Sequence, residues 1–491
     1  MSQDILDRFR PLFYPRGVIM TGVSQHPGKF GSVALHNLIR FGYQGEIFGI
    51  NREGLECYGH RTYTAIGDVP KGRADLAFIC TPAKINPDLL RQCHDRGVRA
   101  AFVASGGYAE GGPDGVARQR ELIELADELG ITLAGPNGQG LISTPVSMCA
   151  QITAPFPPPG PISAVSQSGN LATSFMNYGV LSGIGFSKVV SAGNSAQLGI
   201  ADYLEYFAVD PETEVSLVYM ENLDDGRRFL DAARAHTAKK PLVVLRGGTT
   251  DQGTRAASSH TGALASNARV FDGACRQAGI TRATTLEEAY ETAASFAVQP
   301  LPRGRRTLVF TVAGGWGVLT SDAIALAGLE LIPLPDDLKS EIDKLVPPLW
   351  SKNNPIDLAG GETRDTIPQV LELAASHPDV DAIVYLGIGT QDGQGQAFRS
   401  GKFYPDHGLD RMAGFHQSQD LRYGTAAAEA SAKHGKPILI ATDLVYTDRE
   451  YGNAGPTGVK QSGRLCYQSG HRAVRVLSHM VRYSEFLQRR A

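Results

Sequence analysis

The chain has 491 residues, 42% hydrophobic and 20% charged, a globular composition for about three domains that excludes a disordered or fibrous chain. Its 47 Lys+Arg against 50 Asp+Glu leave a net charge of −3, which argues against nucleic acid or an anionic membrane as a partner. Six cysteines without metal-ligand spacing, no apolar run near the ~18 residues of a membrane span and a charged Met1–Arg10 predict no disulfide framework, no metal site and a cytoplasmic location.

Glycine, at 56 residues, exceeds the typical ~7% and implies many tight turns. The chain opens with an apolar strand, Gly17–Ser24, a small-residue loop, Gln25–Gly31, and a helical pattern from Ser32 to Phe41. Strands follow at 45–50, 76–80, 100–104 and 132–134, with a helix over 117–128. After the Pro-rich stretch Ala154–Pro161, the same opening recurs as Pro161–Asn170 leading into Leu171–Leu181. Strands at 188–190, 215–219 and 242–245 and a helix over 286–298 come next. A second Pro-rich stretch, Gln299–Gly304, precedes a third opening, Thr307–Gly317, leading into Val318–Ala327, with later strands at 382–386 and 437–441. Gly389–Tyr423 is Gly/Gln-rich and weakly periodic and reads as a loop insertion. Strand–helix alternation predicts an α/β fold of parallel sheets with helices on both faces. The Pro-rich linkers divide it into domains near 1–150, 160–298 and 304–491.

Each opening places a helix N-terminus at a strand's carboxyl end, where N–H groups and the helix dipole suit phosphate. None carries G-x-G-x-x-G, which disfavours a nicotinamide oxidoreductase. Gly22–Lys29 fails as a P-loop, because its glycines are one residue too far apart and Phe30 replaces the Ser/Thr. Ser166–Gly169 lacks the first glycine of a nucleophile elbow.

Gly253–Ala265 is the most informative stretch. His260 lies there among Ser258, Ser259, Thr261 and Gly262. A neutral imidazole in such a loop is a competent nucleophile towards phosphorus when a carboxylate orients its other nitrogen. Glu221, just past the strand 215–219, is the candidate. On the residues alone, both also read as an ordinary loop histidine and an ordinary strand-end carboxylate.

Several stretches resemble the α subunit of ADP-forming (NDP-forming) acyl-CoA synthetases, relatives of succinyl-CoA synthetase. They are Gly17–Gly31, Gly135–Asn137, Val165–Gly169, Asp224–Phe229, Ala257–Gly262, Ala313–Gly315, Asn354–Asp357 and Arg472–Leu477, in the family's order. The resemblance implies three Rossmann/flavodoxin-like domains: a CoA-binding domain, then two succinyl-CoA synthetase-like flavodoxin domains, the first carrying a phosphohistidine loop. It implies that Gly22, Ser24 and Lys29 meet the phosphates of coenzyme A, that Asn51 lies near its adenosine, and that Thr81, Pro82 and Asn137 line the same site. His260 matches the phosphorylated histidine and Glu221 its orienting carboxylate. Ser168, Gly169 and Asn170, with Gly314 and Gly315, match two helix N-termini that grip the phosphoryl group, two dipoles on one dianion.

The implied reaction interconverts acyl-CoA, inorganic phosphate and ADP with carboxylic acid, coenzyme A and ATP, through acyl phosphate and phospho-His260. Mg-ATP/ADP would bind only on an ATP-grasp β subunit, since no segment after Leu477 is long enough for that module, and the family expectation is a heterotetramer. An alternative is a catalytically silent CoA- or acyl-CoA-sensing module. The sequence departs from the family pattern at Gly138, where cysteine is usual, at Trp316, often proline, and at Asn170, often alanine or threonine.

Overall fold

Apolar runs of β-branched and aromatic residues, buried on both faces, build three sheets. The computed structural model describes residues 2–223, 225–250, 252–253, 255, 268–358, 360, 364–442 and 452–490. They fall into two units, Met1–Ala293 with the first two sheets and Ala294–Ala491 with the third.

The first sheet holds β1 (Gly17–Met20), β2 (Glu46–Ile50), β3 (Thr62–Tyr63), β4 (Leu76–Ile79), β5 (Ala100–Val103) and β6 (Thr132–Ala134). All are parallel, in the order β3-β2-β1-β4-β5-β6. Residues of β1, β4 and β5 are buried without exception, which is why their sequences are continuously apolar rather than alternating. Its helices are α1 (Ser2–Phe13), α2 (Phe30–Arg40), α3 (Asn86–Asp95) and α4 (Pro113–Glu128). The charged N-terminal stretch is thus amphipathic: α1 buries Phe9, Leu12 and Phe13. Phe9 and Phe13 stack on Tyr206 with ring centroids 4.7 and 5.0 Å apart. Each such buried ring contributes about 1.5–3 kcal/mol.

The second sheet holds β7 (Gly140–Ser143), β8 (Met148–Gln151), β9 (Pro159–Ser166), β10 (Phe186–Ser191), β11 (Val215–Met220), β12 (Leu242–Arg246) and β13 (Thr281–Ala283). Its order is β13-β12-β11-β9-β10-β7-β8. β9 to β13 are parallel, and β7 and β8 add an antiparallel hairpin to β10. Its helices are α5 (Gly169–Ser182), α6 (Ile200–Val209), α7 (Gly226–Thr237), α8 (Ala268–Ala278) and α9 (Leu286–Val298).

The third sheet holds β14 (Arg306–Thr311), β15 (Glu330–Leu331), β16 (Ile356–Asp357), β17 (Ala382–Leu386), β18 (Ile438–Ala441) and β19 (Cys466–Tyr467), all parallel. Its order is β15-β14-β17-β18-β19, with β16 also on β14. Its helices are α10 (Gly314–Leu326), α11 (Asp336–Ile342), α12 (Thr366–Ser376), α13 (Thr390–Arg399), α14 (Leu409–His434), α15 (Ala454–Gln461) and α16 (Gly470–Gln488).

The expected loop over Gly389–Tyr423 is corrected here: it is α13 and the first half of α14. Apart from Tyr423, the residues these helices bury are small or polar, among them Asp392, Gly395, Ala413, Gln419 and Asp420, so the apolar periodicity that marks a helix is missing from the sequence. Buried polar bonds hold them instead. The N–H of Asp392 donates to Asp420 Oδ2 at 2.6 Å, and that of Ala454 donates to Asp392 Oδ2 at 2.8 Å. Burial pushes the Asp420 carboxyl up to about 7. Among the described residues, no helix is long and apolar enough to cross a membrane.

Candidate active site

Ligands of open α/β sheets bind beyond the carboxyl ends of the strands, where the strand order reverses. In the first sheet that point lies between β1 and β4. Thr21 and Thr81 hydroxyls meet there at 3.3 Å, and the Cys80 N–H donates to Thr21 Oγ1 at 3.2 Å. Gly22 follows β1, and Pro82 stands exposed after Thr81. Burial pushes the Cys80 thiol up to about 12. Ser24 Oγ accepts the N–H of His26 at 3.1 Å. Asn51 donates to the Val23 carbonyl at 2.9 Å and accepts the N–H of Glu53. Both side chains therefore shape the loop after β1. Lys29 is exposed and immediately precedes α2, which puts its charge at the mouth of this crevice.

Asn137 is exposed after the cis Gly135–Pro136 bond. Its amide donates to Asn194 Oδ1 at 3.2 Å. Asn194 donates in turn to Glu110 at 2.6 Å and Gln119 at 2.9 Å, and Glu110 accepts the N–H of Gly107 at 2.6 Å. Burial works against ionising Glu110, yet the bonds from Asn194 and Gly107 outweigh it and hold its carboxyl below the usual range. This chain ties the loop after β5 to the loop after β10. At Gly138 a Cβ would lie 2.2 Å from the Ser191 carbonyl and 2.7 Å from the Phe102 ring. Glycine is thus required there for packing.

The second reversal lies between β9 and β11. Ser166 Oγ accepts the N–H of Ser168 at 3.1 Å and donates to the Ser168 carbonyl at 2.6 Å. This turn presents Ser168, Gly169 and Asn170 as the start of α5. Gln139 braces it, donating to Asn170 Oδ1 at 3.2 Å and accepting from Thr173 at 3.0 Å. A Cβ on Gly169 would strike the Gln139 side chain at 2.3 Å. Gln167 spans the reversal: its Oε1 accepts the N–H groups of Glu221 and Asn222 at 2.6 and 3.2 Å, and its Nε2 donates to Asn222 at 2.8 Å. The Glu221 carboxylate accepts from the Tyr219 hydroxyl at 3.0 Å. His260, with Ser258, Ser259 and Thr261, lies outside the described residues.

In the other unit the reversal lies between β14 and β17. Thr311 repeats the turn of Ser166: its Oγ1 accepts the N–H of Ala313 at 3.0 Å and donates to the Ala313 carbonyl at 2.9 Å. Gly314 and Gly315 follow as the exposed first residues of α10.

Gln139, Gln167, Asn194 and Glu110 escaped sequence reasoning, since each acts through a partner distant in sequence. The repeat Ser166/Thr311, a hydroxyl two residues before each helix-capping position, was the readable signal. No group of three or more His, Cys, Asp or Glu side chains able to hold a metal occurs among the described residues.

Successive segments match three family descriptions: "CoA binding domain" over residues 16–143, "Succinyl-CoA ligase like flavodoxin domain" over 159–296 and "Ligase-CoA domain" over 307–390. Fold and matches together define a CoA-binding ligase of the acid–thiol class. The α subunit of ADP-forming acetate–CoA ligase I from Pyrococcus furiosus is 37% identical over 383 residues, 76% of this chain and 82% of that one. An ADP-forming 4-hydroxybutyrate–CoA ligase from Nitrosopumilus maritimus is 30% identical over 97% of this chain and 64% of its own length. A dinucleotide-forming acetyl-coenzyme A synthetase 1 from Ca. Korarchaeum cryptofilum, solved with phosphate and ADP, superposes with a TM-score of 0.83 at 29% identity, covering 98% of each chain. The chain belongs to the ADP-forming acyl-CoA synthetase α-subunit family.

Proposed function

We propose that this chain is the CoA-binding and phosphohistidine subunit of a cytoplasmic ADP-forming acyl-CoA synthetase, with domains at 1–150, 160–298 and 304–491. Coenzyme A binds at Gly22, Ser24, Lys29, Asn51, Thr81, Pro82 and Asn137. Inorganic phosphate attacks the acyl-CoA thioester carbonyl, forming the acyl–phosphate bond and releasing the thiolate of coenzyme A. His260, oriented by Glu221, takes the phosphoryl group and frees the carboxylate of the acid. The N–H groups of Ser168–Asn170 and of Gly314–Gly315 hold that phosphoryl group. An ATP-grasp β subunit, assembled with this chain as a heterotetramer, passes it to Mg-ADP. All steps run in either direction.

The observation that carries this reading is the β9/β11 reversal, where Gln167 joins the base of the α5 N-terminus to the backbone of Glu221. A separate nucleotide-binding partner is supported by the Pyrococcus relative, which is itself named a subunit α.

The test is incubation of the purified chain with labelled inorganic phosphate and a panel of acyl-CoAs, beside His260→Ala. Acid-labile, base-stable label on the wild type alone is expected. If His260→Ala takes up the same label, the assignment fails.

A further inference from the structure

Residues two apart along an extended strand share a face. Tyr219 in β11 and Glu221, just past its end, are such a pair, and the Tyr219 hydroxyl donates to Glu221 Oε1 at 3.0 Å. Tyr219 is buried, with 9% of its surface exposed, and its backbone is held from both sides. Its carbonyl accepts the N–H of Gln167 at 3.2 Å, and its register partner on β12 is Leu245. The donor thus stands on a fixed strand, whereas the glutamate side chain that it holds is long and rich in rotamers.

The chain leaves β12 at Gly247, whose N–H donates to the Met220 carbonyl at 3.0 Å. A Cβ at Gly247 would lie 2.6 Å from the Tyr219 hydroxyl and 3.6 Å from Glu221 Cγ. The φ of Gly247 is not in the left-handed region, so the need for glycine here is one of space. Its missing side chain gives the Tyr219–Glu221 pair its room.

A phenylalanine ring would occupy the same place at position 219. The hydroxyl is therefore explained by its bond, because a buried hydroxyl without a partner is costly. Burial, and then the neighbouring Glu221 carboxylate, raise the Tyr219 phenol above its ordinary value, so it stays a donor at neutral pH. A carboxylate has acceptor sites on both oxygens. A bond on Oε1 fixes the plane of the group and leaves it able to accept an imidazole N–H, the contact that orients a reactive histidine.

We propose that Tyr219 is a positioning residue for phosphoryl transfer: its hydroxyl holds the Glu221 carboxylate at the angle that receives the His260 N–H, in a space kept open by Gly247. This rests on the reading that Glu221 orients His260.

The test is single-turnover labelling of the purified full chain with labelled inorganic phosphate and the acyl-CoA that labels the wild type best. Tyr219→Phe should slow labelling by about tenfold, the lower end of what one hydrogen bond to a charged group is worth, with coenzyme A affinity unchanged by calorimetry. In a Glu221→Ala background, Tyr219→Phe should cost nothing further, because a residue that acts only through Glu221 then has nothing to position; a merely structural role would give additive losses. Gly247→Ala should also slow labelling, and should add nothing to Tyr219→Phe, which removes the atom that the new Cβ would strike. The proposal is overturned if Tyr219→Phe labels at the wild-type rate, or if the losses in either pair of variants add. Labelling of Glu221→Ala at the wild-type rate would instead strike the proposed function.

Discussion

The backbone N–H of Glu221 donates to Gln167 Oε1 at 2.6 Å. Through this one side chain, the strand that launches the α5 helix fixes the strand end that carries the proposed orienting carboxylate. Gln167→Leu leaves the N–H groups of Glu221 and Asn222 without their acceptor. Phosphohistidine formation should fall by about tenfold to a hundredfold, as when a preorganised polar contact is lost. Labelled-phosphate incorporation measures this, and calorimetry should show coenzyme A affinity unchanged.

Glu110 braces a residue of the proposed coenzyme A site. It fastens the N–H of Gly107 and, through Asn194, the amide of Asn137. Glu110→Ala frees both loops. Coenzyme A affinity should weaken by about tenfold, the lower end of what one hydrogen bond to a charged group is worth, with phosphate affinity unaffected. Equilibrium dialysis against each ligand separates the two.

Gly138 tests packing. A Cβ there meets the Ser191 carbonyl at 2.2 Å and the buried Phe102 ring at 2.7 Å, and the Ser191 backbone cannot yield cheaply. Gly138→Cys restores the residue usual in the family and should destabilise the fold by about 1–3 kcal/mol, read as a lower denaturant midpoint.

Asp420 gives a pH signature. Its carboxyl, raised by burial to about 7, lies above the unfolded value of ~3.9. Between those values the folded state holds more protons, so its stability contribution is complete in acid and is lost as pH rises from about 4 to about 7. Hydrogen-exchange protection of α13 and α14, corrected for intrinsic rates, should fall over that window. Asp420→Asn keeps the acceptor for the Asp392 N–H and should flatten the slope.

What the amino-acid sequence determined by itself is the α/β architecture. Runs such as Leu76–Ile79 and Ala382–Leu386 are apolar throughout because both faces of a parallel strand are covered, and the small-residue openings after β1, β9 and β14 mark where helices start. Ordered motifs also led to the family. The tertiary structure decided the rest. β7 and β8 owe their place to pairing with β10, a long-range partner that no local pattern encodes. The helices over 389–423 bury Asp392, Gln419 and Asp420, so their periodicity is polar and invisible to a hydrophobic reading. Gln139, Gln167 and Asn194 matter only because chain crossings bring strand ends together at a reversal of strand order, and such proximity is a property of topology rather than of neighbouring residues.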